Sequence, residues 1–474
     1  MVRQNTVAVR LAEFAAGLQV AQCPPRVLDK AKAALLHGLV IGLASLGDAD
    51  VQLARAMIAD EGSGNATRLL GVGAPASRAD AAFFASLLIH ARGQDDSYRM
   101  LTHPGATIIP AALAEGDGRP VDGEQLLGAL IAGYEVQCRL ARDIVPAVQN
   151  HGFRASALFG IVGATVAAAR IRGLSADQTA HALALAVSVA GGCLETSRAG
   201  TREMTFQEPI FCTSALQAVR LAEAGVTGAD TCFEGPAGFF YAFTGSSTGE
   251  LSGSFHGETT WDPRSTVADL GRRWEILDVT MKIYSAAGFN QPVIEAVAEL
   301  AREHDLAPAD VASLTIQMNQ WETIYPSPRF PHPAAGLADF GSTTYFAAQA
   351  LIAKGYPSTG RRLSYGGAEP ATDEPATLVD LMARTKVVAG PRRQYAPRIT
   401  IETTAGGSIV REMTGDEFKW DLATERERLA ALQAALPLSS AEAGSLVAAV
   451  SNLESLPKVA DLIDLTVPGA PPSP

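Results

Sequence analysis

Aromatic residues make up only 6% of this 474-residue chain, and positive charge is in deficit: 38 Lys and Arg stand against 50 Asp and Glu, a formal net charge of −12. Few aromatics, with alanine and leucine abundant, favour closely packed helices over sheet. The anionic balance excludes sequence-independent binding to nucleic acid, because no basic stripe is present to displace counterions from phosphates. It leaves room for a local cationic pocket that takes a small anion. Cysteines are few: Cys23, Cys138, Cys193, Cys212 and Cys232 are scattered, odd in number and form no C-x-x-C pair. That pattern fits reduced thiols in a cytoplasmic protein and argues against a disulfide framework or a zinc site. The most apolar run, ALLHGLVIGLASLG, carries His37 and is too short to span a bilayer. The opening MVRQNTVAVRLAEF has no long apolar core ahead of a cleavage site, so no secretory signal is expected. A soluble cytoplasmic protein with neither membrane nor nucleic-acid partner is the expectation.

Self-evident catalytic signatures are missing too. There is no H-E-x-x-H and no Walker A loop. The only S-x-x-K, Ser455 to Lys458, contains Pro457, which spoils the helical turn that would join the pair. Neither a metal nor an organic cofactor is expected. The glycines lack a strand–turn–helix context, which argues against a dinucleotide crevice. What is present is an ordinary globular composition, 47% hydrophobic and 19% charged. The length suits two domains, or one large domain with an insertion.

From residue 8 to about 260 the pattern is helix after helix, with no strand pattern. Ser77/Asp80, Asp122/Gln125 and Ser175/Gln178 read as capping pairs, each opening an apolar-periodic segment. The stretch SALFGIVGATVAAARIRG is rich in small residues, which lets helices approach closely. Near residue 265 the character changes. SLTIQM and PRITIETTAGGSIVREM alternate as strands, the latter as a hairpin turning at Ala405-Gly406-Gly407, with helical runs at 291–303, about 342–354 and 375–384. The fold class is therefore mainly α with an α+β part: an all-α portion over 1–264 and an α+β domain over 265–412. The C-terminal helices of 413–474 are expected to return to the helical portion before a disordered tail, VPGAPPSP.

One stretch holds the chemistry: HARGQDDSYRMLTHPGATIIPAALAEG, residues 90–116. It sets adjacent carboxylates, Asp95 and Asp96, between two helical patterns. A helix should start at Pro104, since proline tolerates the first helical position. His103 then sits at the positive end of that helix, which biases an imidazole towards its neutral form. Taken alone, the stretch also reads as a polar turn with a capping histidine.

The order of motifs weighs against that plainer reading. The DDS…THPG turn, AGYEVQCRLARDI, GFRASALFGIVGATVAAARIRGLSADQ, AGT before a long helix, GPAGFFYAF and KIYSAAGFNQPVIEA occur in sequence order. Over roughly residues 5–460 the chain resembles the MmgE/PrpD family of 2-methylcitrate dehydratase, cis-aconitate decarboxylase and iminodisuccinate epimerase. The resemblance implies an all-α domain formed by both chain ends, an inserted α+β lid, a homodimer, and an active site in the cleft between the domains. It implies chemistry next to a carboxylate without metal or organic cofactor: a base, a group that holds the developing negative charge, and an acid for the leaving group. Residue by residue, His103 matches the family histidine of the THPS turn, Asp95 and Asp96 the DDT pair with Ser97 as its third member, and Lys282 and Tyr284 the K-x-Y pair.

The departures matter as much. The aspartate before the DD pair is Gly93 here, and the histidine of GFHPTA is Arg154. A lysine and a histidine are Met204 and Gln207, and the histidine of a second turn is Gln291, which cannot exchange a proton at neutral pH. Arg154 and Arg202 are the candidates to restore cationic character by bidentate carboxylate binding. The reading is a cofactor-independent lyase, first a dehydratase of a hydroxylated carboxylic acid. His103, Asp95, Asp96, Lys282 and Tyr284 would be catalytic, and Ser97, Arg154, Met204, Gln207 and Gln291 substrate-binding. An epimerase or isomerase, a decarboxylase, and a non-catalytic binder of small acids stay open beside it.

Overall fold

The computed structural model describes residues 5–61, 64–196, 201–246, 248–255, 257–324, 343–356 and 375–469. Most of the tail expected to be disordered lies outside them. The principal helices of the first half are α1 (Val7–Gly17), α2 (Pro25–Ala44), α3 (Ala49–Glu61), α4 (Arg78–His90), α5 (Gly105–Gly116), α6 (Gly123–Ala141), α7 (Ala155–Ile171), α8 (Ala176–Val187) and α9 (Met204–Glu223). Their starts are written in the sequence. Ser77 accepts from the Asp80 amide at the head of α4, and full capping boxes open α6 (Asp122/Gln125) and α8 (Ser175/Gln178). Pro104 occupies the cap position and α5 is helical from Gly105, one residue later than expected. A two-residue antiparallel pair, β1 (Thr67–Arg68) with β2 (Pro75–Ala76), interrupts this half, where no strand was expected. It is too short to leave a periodic pattern.

Helix α7 is the hub: α5, α6, α8 and α9 all pack against it. The small residues explain why it can have so many neighbours. A side chain at Gly160 would meet Thr107 at 2.9 Å, and one at Gly163 would meet Ile108 at the same distance. Removing those methyls from the contact lets backbones pack at a spacing that larger residues forbid.

Further along are α10 (Gln291–Glu303), β3 (Val311–Asn319), α11 (Thr343–Ala353), α12 (Ala376–Ala383), β4 (Thr385–Gly390), β5 (Arg398–Thr403) and β6 (Ser408–Glu412). The sheet order is β4-β3-β5-β6. β5 and β6 form the expected hairpin, and β3 pairs antiparallel with β5. β4 was not anticipated: it pairs parallel with β3, Leu314 opposite Thr385. Helix α10 lays a strongly one-sided apolar face (Val293, Ile294, Val297, Leu300) into the core.

The chain ends with α13 (Leu422–Leu429), α14 (Ser440–Ser451) and α15 (Val459–Asp464). α13 and α14 pack on α2, and α15 on α5. Buried polar contacts tie the same surfaces: Lys30 Nζ donates to the Trp420 carbonyl at 3.0 Å, and His37 Nδ1 lies 2.7 Å from Glu425 Oε1. No single described helix is long and apolar enough to cross a membrane. The five cysteines are unpaired.

Candidate active site

The site is assembled by one short antiparallel bridge. Ser97 and Thr280 exchange both backbone hydrogen bonds, each at 2.8 Å. Antiparallel register then fixes what lies two residues away, on the same face. Asp95 falls opposite Lys282, and its Oδ1 accepts from Nζ at 3.1 Å. One step off that face, Gln94 Nε2 donates to the Ile283 carbonyl at 2.6 Å. Two segments some 180 residues apart thus bring a carboxylate and an ammonium together without water between them.

Both groups are fully buried, and so are their neighbours. His90, the last residue of α4, donates from Nδ1 to Asp95 Oδ2 at 2.8 Å. Burial works against the Asp95 carboxylate. His103, Lys282 and His90 around it more than compensate, and its pKa falls well below the carboxylate range. Asp96 points the other way. Oδ2 accepts from the Tyr134 hydroxyl at 2.6 Å and Oδ1 from the Gly105 amide at 2.8 Å. Burial dominates here, opposed by those two hydrogen bonds and helped by the charge of Asp95, and lifts it to about 6. Gly105 is required at this helix start, because any Cβ would stand 3.0 Å from both Asp96 oxygens. The adjacent carboxylates therefore differ in role: Asp95 is a permanently ionised partner of Lys282, and Asp96 caps α5.

His103 stands between them. Its amide donates to Ser156 Oγ at 3.1 Å and its Nδ1 lies 2.9 Å from the Asp96 carbonyl. A carbonyl oxygen only accepts, so Nδ1 carries the proton and Nε2 carries the lone pair. Burial, reinforced by the charges of Lys282, His90 and Arg154, outweighs the pull of Asp95 and pushes the imidazole down to about 3. Asp95 Oδ2 lies 3.6 Å from Nδ1, close enough to stabilise an imidazolium formed transiently. The ring keeps a tenth of its surface exposed, unlike the sealed Asp95. The Asp96 carbonyl, Asp95 and Lys282 Nζ, the last at 3.5 Å, are therefore gathered on the Nδ1 side of the ring.

Arg154 and α9 complete the cluster. Arg154, the cap residue of α7, forms an ion pair with Glu208 Oε1 through Nη1 and reaches Gln207 Oε1 from the same nitrogen at 3.4 Å. Its Nη2 lies 3.2 Å from His90 Nε2. The arrangement runs Glu208–Arg154–His90–Asp95–Lys282 without a break. Met204 is buried at the head of the same helix, and Gln207 also donates to the Cys193 carbonyl at 3.1 Å.

Five candidate residues have partners of their own in this geometry. Gln291 has no hydrogen bond left for a substrate: its Oε1 accepts from the amides of Ile283 and Tyr284, and its Nε2 donates to the carbonyls of Tyr284 and Ala286. It anchors the loop that carries Lys282. The Tyr284 hydroxyl donates to Glu295 at 2.5 Å, beside Arg428, and makes no contact with His103 or Asp95. Arg202 is half exposed and pairs with Asp50. Arg154 is in the site, but its fork is spent on Glu208, Gln207 and His90. Ser97 is likewise engaged, its hydroxyl 3.2 Å from that of Tyr395.

Two members of the cluster, His90 and Glu208, escaped the reading of the sequence. A signal existed for each. His90 precedes the DD pair by five residues, and Glu208 interrupts an apolar face just before Pro209. Among the described residues no group of three or more His, Cys, Asp and Glu side chains is arranged to hold a metal ion.

Comparison with known proteins agrees with this picture at the level of family. The chain is 24% identical to a cis-aconitate decarboxylase-like protein of Aspergillus oryzae over 310 residues, 64% of this chain and 63% of that protein. It is 24% identical to the cis-aconitate decarboxylase of Aspergillus terreus over 64% of this chain and 61% of that protein. The human cis-aconitate decarboxylase is 31% identical over 169 residues, 34% of this chain and 35% of that protein. The chain thus spans less than two thirds of the length of these curated relatives. The MmgE/PrpD N-terminal domain is matched over residues 9–252, more than half of the chain, and the chain belongs to the MmgE/PrpD family.

Proposed function

We propose that this protein is a cofactor-independent lyase acting on a carboxylic acid, with His103 as the group that moves the proton. The observation carrying the proposal is the His103 imidazole, kept neutral with Nδ1 donating to the Asp96 carbonyl and Asp95 behind it. Nε2 takes a proton from the carbon next to the substrate carboxylate, and the electron pair moves into the adjoining π system. Lys282, paired with Asp95 and 3.5 Å from His103 Nδ1, is the cation nearest the ring, and on protonation His103 is stabilised by Asp95. The hydroxyl group on the neighbouring carbon takes the proton that His103 has accepted and leaves as water, which completes a dehydration, the reading favoured for a hydroxylated acid. In the decarboxylase reading, which the names of the relatives favour, His103 Nε2 first takes a proton from solvent, with Asp95 stabilising the imidazolium, and then gives it to the carbanion left by loss of CO2. The proposal also includes closure of the 265–412 segment over the cluster, supported by the Tyr395–Ser97 contact, and a homodimeric assembly.

The test is proton exchange. In heavy water the protein should wash deuterium into the α-position of a substrate acid, and His103→Gln should cut that rate by about two orders of magnitude or more. If exchange persists within a few-fold in the variant while the fold is intact, His103 is only a cap.

A further inference from the structure

The resemblance sets Arg154 where the family carries a histidine, and its neighbours show what the exchange achieves. His90 is fully buried between two carboxylates: Nδ1 lies 2.8 Å from Asp95 Oδ2, and Nε2 lies 3.4 Å from Glu208 Oε2. A doubly protonated ring would donate to both, and Glu208 Oε2 has no hydrogen bond among the described residues. Arg154 stands in the way. Its Nη2 lies 3.2 Å from Nε2, nearer than the Glu208 oxygen. A guanidinium nitrogen only donates and keeps its charge at any working pH, so Nε2 must accept. The ring is then neutral, with its one proton on Nδ1 facing Asp95. Arg154 is itself held: Nη1 pairs with Glu208 Oε1 and reaches Gln207 Oε1 at 3.4 Å. The Ser156 hydroxyl also donates to Glu208, and its oxygen accepts from the His103 amide at 3.1 Å.

The state of His90 governs what Asp95 can do for His103. Asp95 Oδ2 faces the Nδ1 atoms of both rings, at 2.8 Å and 3.6 Å, and the ring centroids are 5.5 Å apart. Lys282 already neutralises Asp95 from the Oδ1 side. A proton on His90 would place a second cation on the same carboxylate, next to the imidazolium that His103 is proposed to form. We propose that Arg154, anchored by Glu208, is a positioning residue that locks His90 in its neutral Nδ1–H form and reserves Asp95 Oδ2 for a charge on His103. The use of that reserve rests on His103 moving the proton; the lock does not. The charged and titratable groups around His90 are Asp95 and His103 in the loop after α4, Lys282 across the bridge, Arg154 at the head of α7 and Glu208 in α9. Of these, Arg154 is the one that donates to Nε2. Taking it away leaves that lone pair facing Glu208 Oε2, and one proton from solvent then bonds to Nε2 and bridges the two.

The test is a nitrogen NMR spectrum of the whole chain labelled at histidine, recorded without substrate, so its outcome is separate from that of the exchange assay on His103. The His90 resonances are identified by their loss in His90→Gln. At about pH 7, near the ordinary histidine value, the wild type should show Nδ1 protonated and Nε2 bare. Arg154→Met, which has no donor to offer, should shift Nε2 from the bare to the protonated position and give a doubly protonated ring. A wild-type His90 that is doubly protonated, or that carries its one proton on Nε2, would overturn the proposal. So would a folded Arg154→Met in which the His90 resonances stay where they are in the wild type. Should that variant fail to fold, the wild-type spectrum decides alone: the neutral Nδ1–H ring upholds the lock, and either other form removes it.

Discussion

At the scale of single residues the site is a set of paired charges around one neutral ring. His103 is the member whose state can be tested directly. Held down to about 3 by burial, it should remain neutral and protonated on Nδ1 at about pH 5, well below the ordinary histidine value near 6.5. Nitrogen chemical shifts of a histidine-labelled sample read this, and an imidazolium at that pH would refute the assignment. The same shift has a consequence for stability. Below 6.5 the unfolded chain binds a proton that the folded chain refuses until about 3, so this residue's contribution to stability is lost as pH falls through that window. Much of this was legible in the sequence, because His103, Asp95, Asp96 and Lys282 lie in short motifs whose spacing carries over. His90 and Glu208 were not, since pairing across a fold leaves no local trace. Arg154 shows the limit most clearly: the sequence displays the cation, and only the fold displays the glutamate that neutralises it.

At the scale of elements, the register of one bridge and the filling of one amide decide where Lys282 stands. Gln291 spends all four hydrogen-bonding positions on the backbone of 283–286, so its replacement by leucine orphans the Ile283 and Tyr284 amides and the Ala286 carbonyl at once, while the Tyr284 carbonyl keeps the Ala286 amide. A stability loss on the order of 2–4 kcal/mol is expected in denaturant titration, with catalytic rate falling further than substrate affinity as Lys282 loses its place. A Gln291→Leu variant that matches the wild type in both would show that the loop holds itself. Helix starts were readable because capping chemistry is local, and the β5–β6 hairpin because its turn residues are. β4 was not readable. It is a short strand whose partner, β3, lies some 70 residues earlier, and its burial does not alternate cleanly. The role of Gln291 was misread for a related reason: a helix-start glutamine looks the same in sequence whether it faces a substrate or a loop.

At the scale of the whole molecule, buried ion pairs join distant parts of the chain, and their balance limits what the site can accept. His37 in α2 has both ring nitrogens on acceptors, Glu425 of α13 at 2.7 Å and the Gln94 carbonyl at 2.8 Å. Burial opposes the charged ring, but Glu425 and the Gln94 carbonyl overcome it and raise the pKa, so this tie is strongest below the unfolded value and weakens as pH rises through the folded one. Glu425→Ala should therefore cost about 3–5 kcal/mol, more at pH 6 than at pH 9 in the wild-type comparison, and an equal cost at both would refute the ionised pair. The same bookkeeping applied to the proposed catalytic cluster gives Lys282 with Asp95 and Arg154 with Glu208, leaving no surplus cation between them. A tricarboxylate such as cis-aconitate or 2-methylcitrate brings several charges into such a cleft, each needing a partner. Met204, Gln207 and Gln291 supply none, and Arg154 arrives already neutralised. A missing partner typically costs a few kcal/mol, roughly a hundredfold or more in binding. The protein should turn over cis-aconitate, 2-methylcitrate and iminodisuccinate poorly, and prefer an acid with fewer carboxylates or a larger apolar body that packs on Met204. Efficient turnover of any one of the three by the purified protein would show that Lys282 or Arg154 exchanges its acidic partner for substrate, and the charge argument would fall.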